Sequence, residues 1–273
     1  MSVQLRLAAI IAIVAGVALI NWSTTVSMIG LWGHSAYEHC FAIPFVSAYL
    51  LWMDRETTLT SNWSGSWLGL ILLGLSMTGL YAAKVALIQL LEHFFLLTGT
   101  IAAVWTIAGD DFFRKNWFPL MFLMLCIPAG DTLIPTLQAI TADLCTAGLA
   151  LLGIPAYREG MLLTLPGGNF EVARACSGFR YLNAGIALGA LFAYLNLRAV
   201  KLMALYVAFV VLVFILMNGI RAFLTILIAA YSDMQYMTGD DHIYFGYVLF
   251  AVAIVGVYQV AVWMGRRWDE QNV

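Results

Sequence analysis

The sequence predicts an all-α polytopic membrane protein with about eight transmembrane helices, one amphipathic interfacial helix and a short extracytoplasmic β-hairpin. Of its 273 residues, 63% are hydrophobic and 10% are charged, and the mean hydropathy is +0.90. Soluble domains are about 45–50% apolar and about 25% charged. Apolar runs also fill the chain from residue 7 to residue 264. We therefore expect one integral-membrane domain over residues 1–273, in contact with the lipid bilayer. The net charge of −2 gives no basic excess that would indicate nucleic acid.

Eight apolar runs are candidates for spanning helices, each of which needs roughly 20 mostly apolar residues. They are residues 7–22, 38–53, 66–83, 86–108, 117–130, 179–196, 202–222 and 243–264. The second and fifth runs are short, so the count could fall by one or two. We interpret the first run as a retained span because it lacks a small-residue cleavage site, and a cleaved signal peptide is the alternative.

Residues 131–153 form a different kind of segment. Thr132, Thr136 and Asp143 recur at helical spacing, while leucine and isoleucine residues lie elsewhere around the helix. This pattern predicts an amphipathic helix at the membrane interface or along a polar cavity. If the segment crossed the membrane instead, the orientation of everything after it would invert.

The positively charged residues orient the predicted spans, because cytoplasmic loops carry an excess of lysine and arginine. With the N-terminus inside, eight of the thirteen cations fall on the cytoplasmic side: Arg6, Arg55, Arg114, Lys115, Arg198, Lys201, Arg266 and Arg267. The other five fall on or near the outer side: Lys84, Arg158, Arg174, Arg180 and Arg221. Charge alone does not decide the second half of the chain. We prefer this topology because the outer arginines surround the candidate chemistry.

Residues 156–175 are the segment whose pattern predicts β-structure. Residues 161–165 and 170–173 flank Pro166-Gly167-Gly168-Asn169, a strong turn sequence. The predicted hairpin leads directly into Cys176 and the next helix. A helix N-terminus and neighbouring arginines both favour thiolate over thiol, so Cys176 is a candidate nucleophile. The alternative is a small apolar residue at a helix start, and we expect the other cysteines to be packing residues: Cys40, Cys126 and Cys145.

Two further polar residues stand out in the second half of the chain. Arg221 lies inside the apolar run 202–230, where an arginine costs about 2.5–3.5 kcal/mol on insertion scales and should face a partner or a wet cavity. Asn218, one helical turn earlier, could orient it. His242 opens the last span, and an imidazole there can act as a general acid or base. The alternatives are a snorkelling arginine and an ordinary interfacial histidine.

In the predicted topology, Cys176, Arg221 and His242 reach the outer face from three consecutive helices. A thiolate can attack a carbonyl, an imidazole can move the proton, and a guanidinium can stabilise the oxyanion. These three groups suffice for acyl transfer, and we expect no metal and no cofactor.

Three motifs in the order found here resemble those of the exosortase/archaeosortase family. Residues 171–182 resemble the cysteine motif, Asn218-Gly219-Ile220-Arg221 resembles the arginine motif, and residues 241–246 resemble the histidine motif. The resemblance implies a multi-pass cysteine peptidase or transpeptidase of the cell inner membrane, with both termini cytoplasmic and an extracytoplasmic active site. It implies that Cys176, Arg221 and His242 are catalytic and that cleavage leaves a thioester on the cysteine.

The resemblance also implies the partners of the protein. They would be exported proteins with a C-terminal sorting tail of the PEP-CTERM type: a Pro-Glu-Pro-type motif, a transmembrane helix and a basic cluster. A glutamate-containing tail needs cations at the outer face, and Arg158, Arg174 and Arg180 are available there. We therefore assign these three arginines to substrate binding. The tail motif, the acceptor and the oligomeric state do not follow from the sequence.

Two other function classes fit parts of the sequence. A non-catalytic transporter or channel would account for intramembrane Glu92, His93 and Arg221. Transporters often consist of repeated halves, and the sequence has no such halves. A metal-dependent protease is disfavoured because the sequence has no HExxH motif.

Overall fold

Helices make up most of the computed structural model, which describes residues 3–55, 63–232, 234–237 and 241–272. The predicted helical, polytopic membrane class is confirmed. The chain divides into two compact units, Met1–Ala129 and Gly130–Val273. The single membrane domain expected from the sequence stays a prediction.

In the described residues of the first unit, all regular secondary structure is helical. Its helices are α1 (Val3–Ile20), α2 (Trp22–Trp32), α3 (Ala42–Met53), α4 (Trp67–Ala86), α5 (Gln89–Ala108), α6 (Asp110–Lys115) and α7 (Trp117–Phe122). A tight turn joins α4 to α5, with Leu87 at φ 56°. The two helices approach closely at Gly79, where a Cβ atom would lie 2.6 Å from the ring of Phe95.

The intramembrane polar residues of α5 bond within the first unit. The hydroxyl of Thr24 donates to a carboxylate oxygen of Glu92 at 3.2 Å. His93 is fully buried, and its Nε2 lies 3.3 Å from the hydroxyl of Ser27. These contacts give Glu92 and His93 a structural role within the helix bundle, so they do not by themselves support a transport pathway.

The number of candidate spans is smaller in the structure than the sequence predicts. Among the described residues, five helices are long and apolar enough to cross a membrane, or up to six if α1 and α2, bent by 96°, form one broken span. The predicted span 179–196 is helical but is not one of these five. The predicted spans 38–53 and 117–130 contain only 12 and 6 residues of α-helix, in α3 and α7. Each also includes a short 3-10 segment, Glu38–Phe41 or Leu123–Cys126.

The second unit contains helices α8 (Ile134–Leu151), α9 (Phe179–Asn196), α10 (Val200–Tyr231) and α11 (Asp241–Asn272). Helix α10 packs against the other three helices. Glycines allow two of these close approaches, as small residues do between membrane helices. A Cβ atom at Gly219 would lie 2.3 Å from Leu144 of α8, and one at Gly185 would lie 2.4 Å from Phe214.

The helix predicted over 131–153 is present as a 3-10 turn, Asp131–Leu133, followed by α8. Its apolar face packs in a core that includes Leu149 and Cys145 of α8 and Ile226 of α10. The segment Asp131–Leu151 is also long and apolar enough to span a membrane. Its interfacial position therefore stays a prediction.

A small antiparallel sheet connects α8 to α9 in the order β1 (Tyr157–Glu159), β2 (Leu162–Leu165) and β3 (Gly168–Glu171). Leu165 pairs with Gly168, so the turn between β2 and β3 is tighter than the four-residue turn predicted from the sequence. Leu163, Leu165 and the adjacent Val172 are buried against α8 and α10. The sheet thereby fixes the chain that leads to Cys176.

Candidate active site

A cavity of about 210 Å³ in the second unit is lined by Cys176, Arg221 and His242. The rest of its wall comes from the end of β3, from one face of α10 and from the segment before α11. The structure thus brings together the three residues that the sequence singles out for chemistry. They come from the turn before α9, from the middle of α10 and from the first turn of α11.

Cys176 lies in a 3-10 turn, Arg174–Ser177, directly before α9 rather than in the first turn of that helix. The turn is closed by the backbone N–H of Cys176, which donates to the carbonyl of Ala173 at 2.8 Å. The cysteine is half-buried at the cavity, so its sulfur combines access to the cavity with a fixed backbone.

Asn218 holds the backbone of this turn from α10. Its Nδ2 donates to the carbonyl of Cys176 at 3.0 Å and to the hydroxyl of Thr141 in α8 at 3.0 Å. From the sequence, we expect Asn218 to orient Arg221, which lies one helical turn later. The structure shows that its hydrogen bonds position the cysteine turn.

Gly178 makes the approach of Asn218 possible. Its φ of +77° is a left-handed conformation that favours glycine. A Cβ atom at this position would also lie 2.4 Å from Cγ of Asn218. Glycine is therefore required twice, for the turn into α9 and for the contact between α9 and α10. Its role depends on a tertiary contact, which the Cys-Ser-Gly sequence alone does not reveal.

Arg221 is buried at the cavity, with 6% of its surface exposed. Its guanidinium carbon lies 5.8 Å from the ring centroid of Tyr181. No carboxylate in the described part of the chain forms an ion pair with Arg221, and its buried Nε has no hydrogen-bond partner there. The described residues therefore leave a cation without a carboxylate partner at the cavity, which is what an oxyanion or another anion needs. The burial of Arg221 argues against the alternative that its side chain extends to the membrane interface.

His242 stands half-buried in the first turn of α11. The carboxylate of Asp241 accepts hydrogen bonds from the backbone N–H of His242, at 3.1 Å, and from that of Met237. Asp241 thus fixes the backbone where α11 begins. Asp240, the other acid that could orient the imidazole, lies outside the described residues.

The family of the chain follows from a sequence comparison that covers this whole site. The sequence model of the transmembrane exosortases (Exosortase_EpsH) matches residues 31–258, which include Cys176, Arg221 and His242. The chain belongs to the transmembrane exosortase family. No curated protein and no solved structure matches it significantly.

The three arginines assigned to substrate binding are not among the residues lining the cavity of this exosortase, and the structure places them differently. Arg158 forms an ion pair with Asp143 of α8, and its Nε donates to the carbonyl of Gly160 at 2.9 Å. Arg174 is exposed beside the cysteine turn. Arg180 lies over the rings of Tyr181 and Tyr247, at 4.9 and 5.3 Å. Of the three, Arg174 has the most accessible charge.

The remaining cysteines are buried and free: Cys40, Cys126 and Cys145. Cys145 is packed with Leu149 and Ala222 in the core beneath the sheet. Among the described residues, no group of three or more His, Cys, Asp or Glu side chains is arranged to hold a metal ion.

Proposed function

We propose that this exosortase is a membrane-embedded cysteine peptidase or transpeptidase that removes C-terminal sorting tails from exported proteins. The observation that supports this most directly is the single cavity lined by Cys176, Arg221 and His242 in a chain of this family. A nucleophile, a proton carrier and a cation around one cavity meet the requirements of acyl transfer.

The first half-reaction forms a thioester on the enzyme. The Sγ thiolate of Cys176 attacks the scissile carbonyl carbon, and the carbonyl electrons move onto oxygen, where the guanidinium of Arg221 stabilises the negative charge. Collapse of this intermediate breaks the C–N bond. His242, protonated, donates its proton to the departing amine. The tail leaves, and the exported protein remains joined to the cysteine.

The second half-reaction transfers the acyl group to an amine or to water. The neutral imidazole of His242 removes a proton from the nucleophile as it attacks the thioester carbonyl. Arg221 again stabilises the oxyanion, and the C–S bond then breaks. The products are an amide or a carboxylic acid and the regenerated thiolate, so atoms and charges balance.

The substrates in this proposal are exported proteins that carry a Pro-Glu-Pro-type motif, a transmembrane helix and a basic cluster. The active site faces the extracytoplasmic side of the inner membrane, and both termini are cytoplasmic. The positive residues in the first half of the chain support a cytoplasmic N-terminus. The extracytoplasmic position of the active site rests in addition on residues 131–153 not crossing the membrane.

A trapping experiment tests the covalent step. The enzyme is reconstituted in lipid vesicles and mixed with a reporter protein that ends in a Pro-Glu-Pro-type motif, an apolar helix and a basic cluster. We expect a covalent adduct between reporter and enzyme that hydroxylamine releases, because hydroxylamine cleaves thioesters. Mass spectrometry should place it on the peptide containing Cys176.

The matched control for trapping is Cys145→Ala, which removes a buried thiol of the same unit. This variant should form the same adduct. An adduct on another cysteine, or tail removal by Cys176→Ala, would refute the thioester mechanism.

Exposed Arg174 is the arginine best placed to attract an acidic tail. We expect Arg174→Glu to raise KM for the reporter about two- to fivefold with kcat unchanged, since exposed ion pairs contribute little. The effect should shrink at high salt, because salt screens exposed charges. Initial rates at two salt concentrations measure both effects.

Arg158→Glu serves as the contrasting variant, since it places a carboxylate next to Asp143. It should lower thermal stability because the ion pair between the strand and α8 becomes a repulsion. If charge reversal at Arg158 and Arg174 together left processing unchanged, arginine recognition of the tail would be wrong.

A further inference from the structure

We infer that Tyr181 is a positioning residue for Arg221: its aromatic ring holds the buried guanidinium at the cavity in the place where a carboxylate would neutralise it. This inference rests on the proposed function, because the work of Arg221 is to stabilise an oxyanion. Tyr181 lies one helical turn after the cysteine turn, in α9.

A buried guanidinium needs an electrostatic partner, since removing a charge from water is costly. For Arg221 the described residues provide no ion pair, and Nε has no hydrogen-bond partner among them. What they do provide is the face of Tyr181, 5.8 Å from the guanidinium carbon. An aromatic face attracts a cation through its quadrupole and carries no formal charge. Arg221 thus keeps its positive charge and its N–H donors for the substrate.

Tyr181 is itself held in place from several directions. Its hydroxyl accepts a hydrogen bond from Nη2 of Arg180 at 3.1 Å. Its ring lies 5.1 Å from the ring of Phe250 in α11. A Cβ atom at Gly246 would lie 2.6 Å from the tyrosine hydroxyl and 3.4 Å from Cδ of Arg221. Gly246 follows His242 by one helical turn, so the glycine opens the space that Tyr181 and Arg221 occupy.

These contacts place Tyr181 where three helices meet. Helix α9 follows Cys176, α10 bears Arg221, and α11 bears His242. Tyr181 contacts the arginine directly and touches α11 one turn beyond the histidine. Loss of the Tyr181 ring should therefore displace the guanidinium of Arg221 relative to Cys176 and His242, while all three groups remain present.

The test compares Tyr181→Phe with Tyr181→Leu, measured as tail removal from the same reporter in vesicles. The phenylalanine variant keeps the aromatic face, so kcat should stay within about threefold of wild type. The leucine variant should lose about ten- to thirtyfold in kcat with KM unchanged, because the lost interaction acts on the transition state. Tyr181→Met replaces the leucine variant if that variant does not accumulate in membranes.

Tyr247→Leu is the matched control, because its ring lies over Arg180 and not over Arg221. Its kcat should remain within about twofold of wild type. A double-mutant cycle compares the kcat loss caused by Tyr181→Leu in the wild-type and Arg221→Gln backgrounds. A purely structural role of Tyr181 would give the same loss in both. If Tyr181 acts through the arginine, Tyr181→Leu should cost about twofold or less in the Arg221→Gln background.

Three results would overturn the inference: wild-type kcat in Tyr181→Leu, a loss confined to KM, or the same loss with and without the arginine. In each of these cases Cys176→Ala would still be inactive, so the proposed function would stand. Processing by Cys176→Ala would instead refute the proposed function itself.

Discussion

Replacing Cys176 by alanine is expected to abolish tail removal, lowering kcat at least about a thousandfold. Among the described residues that line the cavity, Cys176 supplies the thiol, and the proposed mechanism uses His242 for proton transfer and Arg221 for oxyanion stabilisation. The experiment follows the size of the tail-bearing reporter after incubation with wild-type or variant enzyme in vesicles. Substrate binding should survive, because the alanine removes only the sulfur atom.

Two further variants separate chemistry from packing. Cys176→Ser keeps a nucleophilic atom of similar size but should be nearly as inactive, since a serine hydroxyl ionises far less readily than a thiol. Cys145→Ala, in the neighbouring core, should retain activity within a few fold and unfold at a slightly lower temperature. Processing by Cys176→Ala would exclude the cysteine mechanism, and loss in both alanine variants would indicate a packing defect.

The sequence predicts long helices more accurately than short ones in this chain. The predicted span 202–222 is present within the longer helix α10, Val200–Tyr231, because the apolar residues continue to position 230. The shorter runs 38–53 and 117–130 are also mostly apolar, yet parts of both form 3-10 segments. Hydropathy averages over a window, and it does not register where a helix ends or bends.

Within the candidate site, the residues with reactive or charged groups could be predicted more readily than those that act through tertiary contacts. Cys176, Arg221 and His242 could be predicted because each places a chemically reactive or charged group in or beside an apolar run. Asn218 also stands out in the sequence, as a residue that could orient Arg221. Its hydrogen bonds to Thr141 and to the carbonyl of Cys176 do not follow from the sequence. Gly178 and Tyr181 act through contacts with α10 that only the tertiary structure creates.

Arg158 shows how such a contact can alter a role assigned from sequence. Its charge suggested a substrate ligand, and Asp143, fifteen residues earlier, carries the opposite charge. The sheet brings the two together by folding β1 back towards α8. The pairing depends on the path of a strand that has no apolar alternation, and the sequence pattern therefore gave no sign of it.

Replacing Arg221, the cation at the cavity, should have the second-largest effect on kcat. We expect Arg221→Gln to lower kcat about a hundred- to a thousandfold with little change in KM, because an oxyanion exists only in the transition state and the intermediates. Arg221→Lys should recover part of the loss, since it restores the charge without the planar set of donors. Reporter turnover at saturating substrate measures both effects.

Arg180→Gln provides the comparison that distinguishes the two arginines. Arg180 lies over the rings of Tyr181 and Tyr247 and is not among the residues lining the cavity, so its loss should leave kcat within about threefold. If Arg180 binds the tail, as the sequence suggests, its loss should raise KM. Alkylation of Cys176 by a small maleimide shows that the site is intact in each variant. A wild-type kcat in Arg221→Gln would remove the arginine from the mechanism. An equal loss of kcat in Arg221→Gln and Arg180→Gln would show that Arg221 acts through Tyr181, which both arginines contact, and not directly on the substrate.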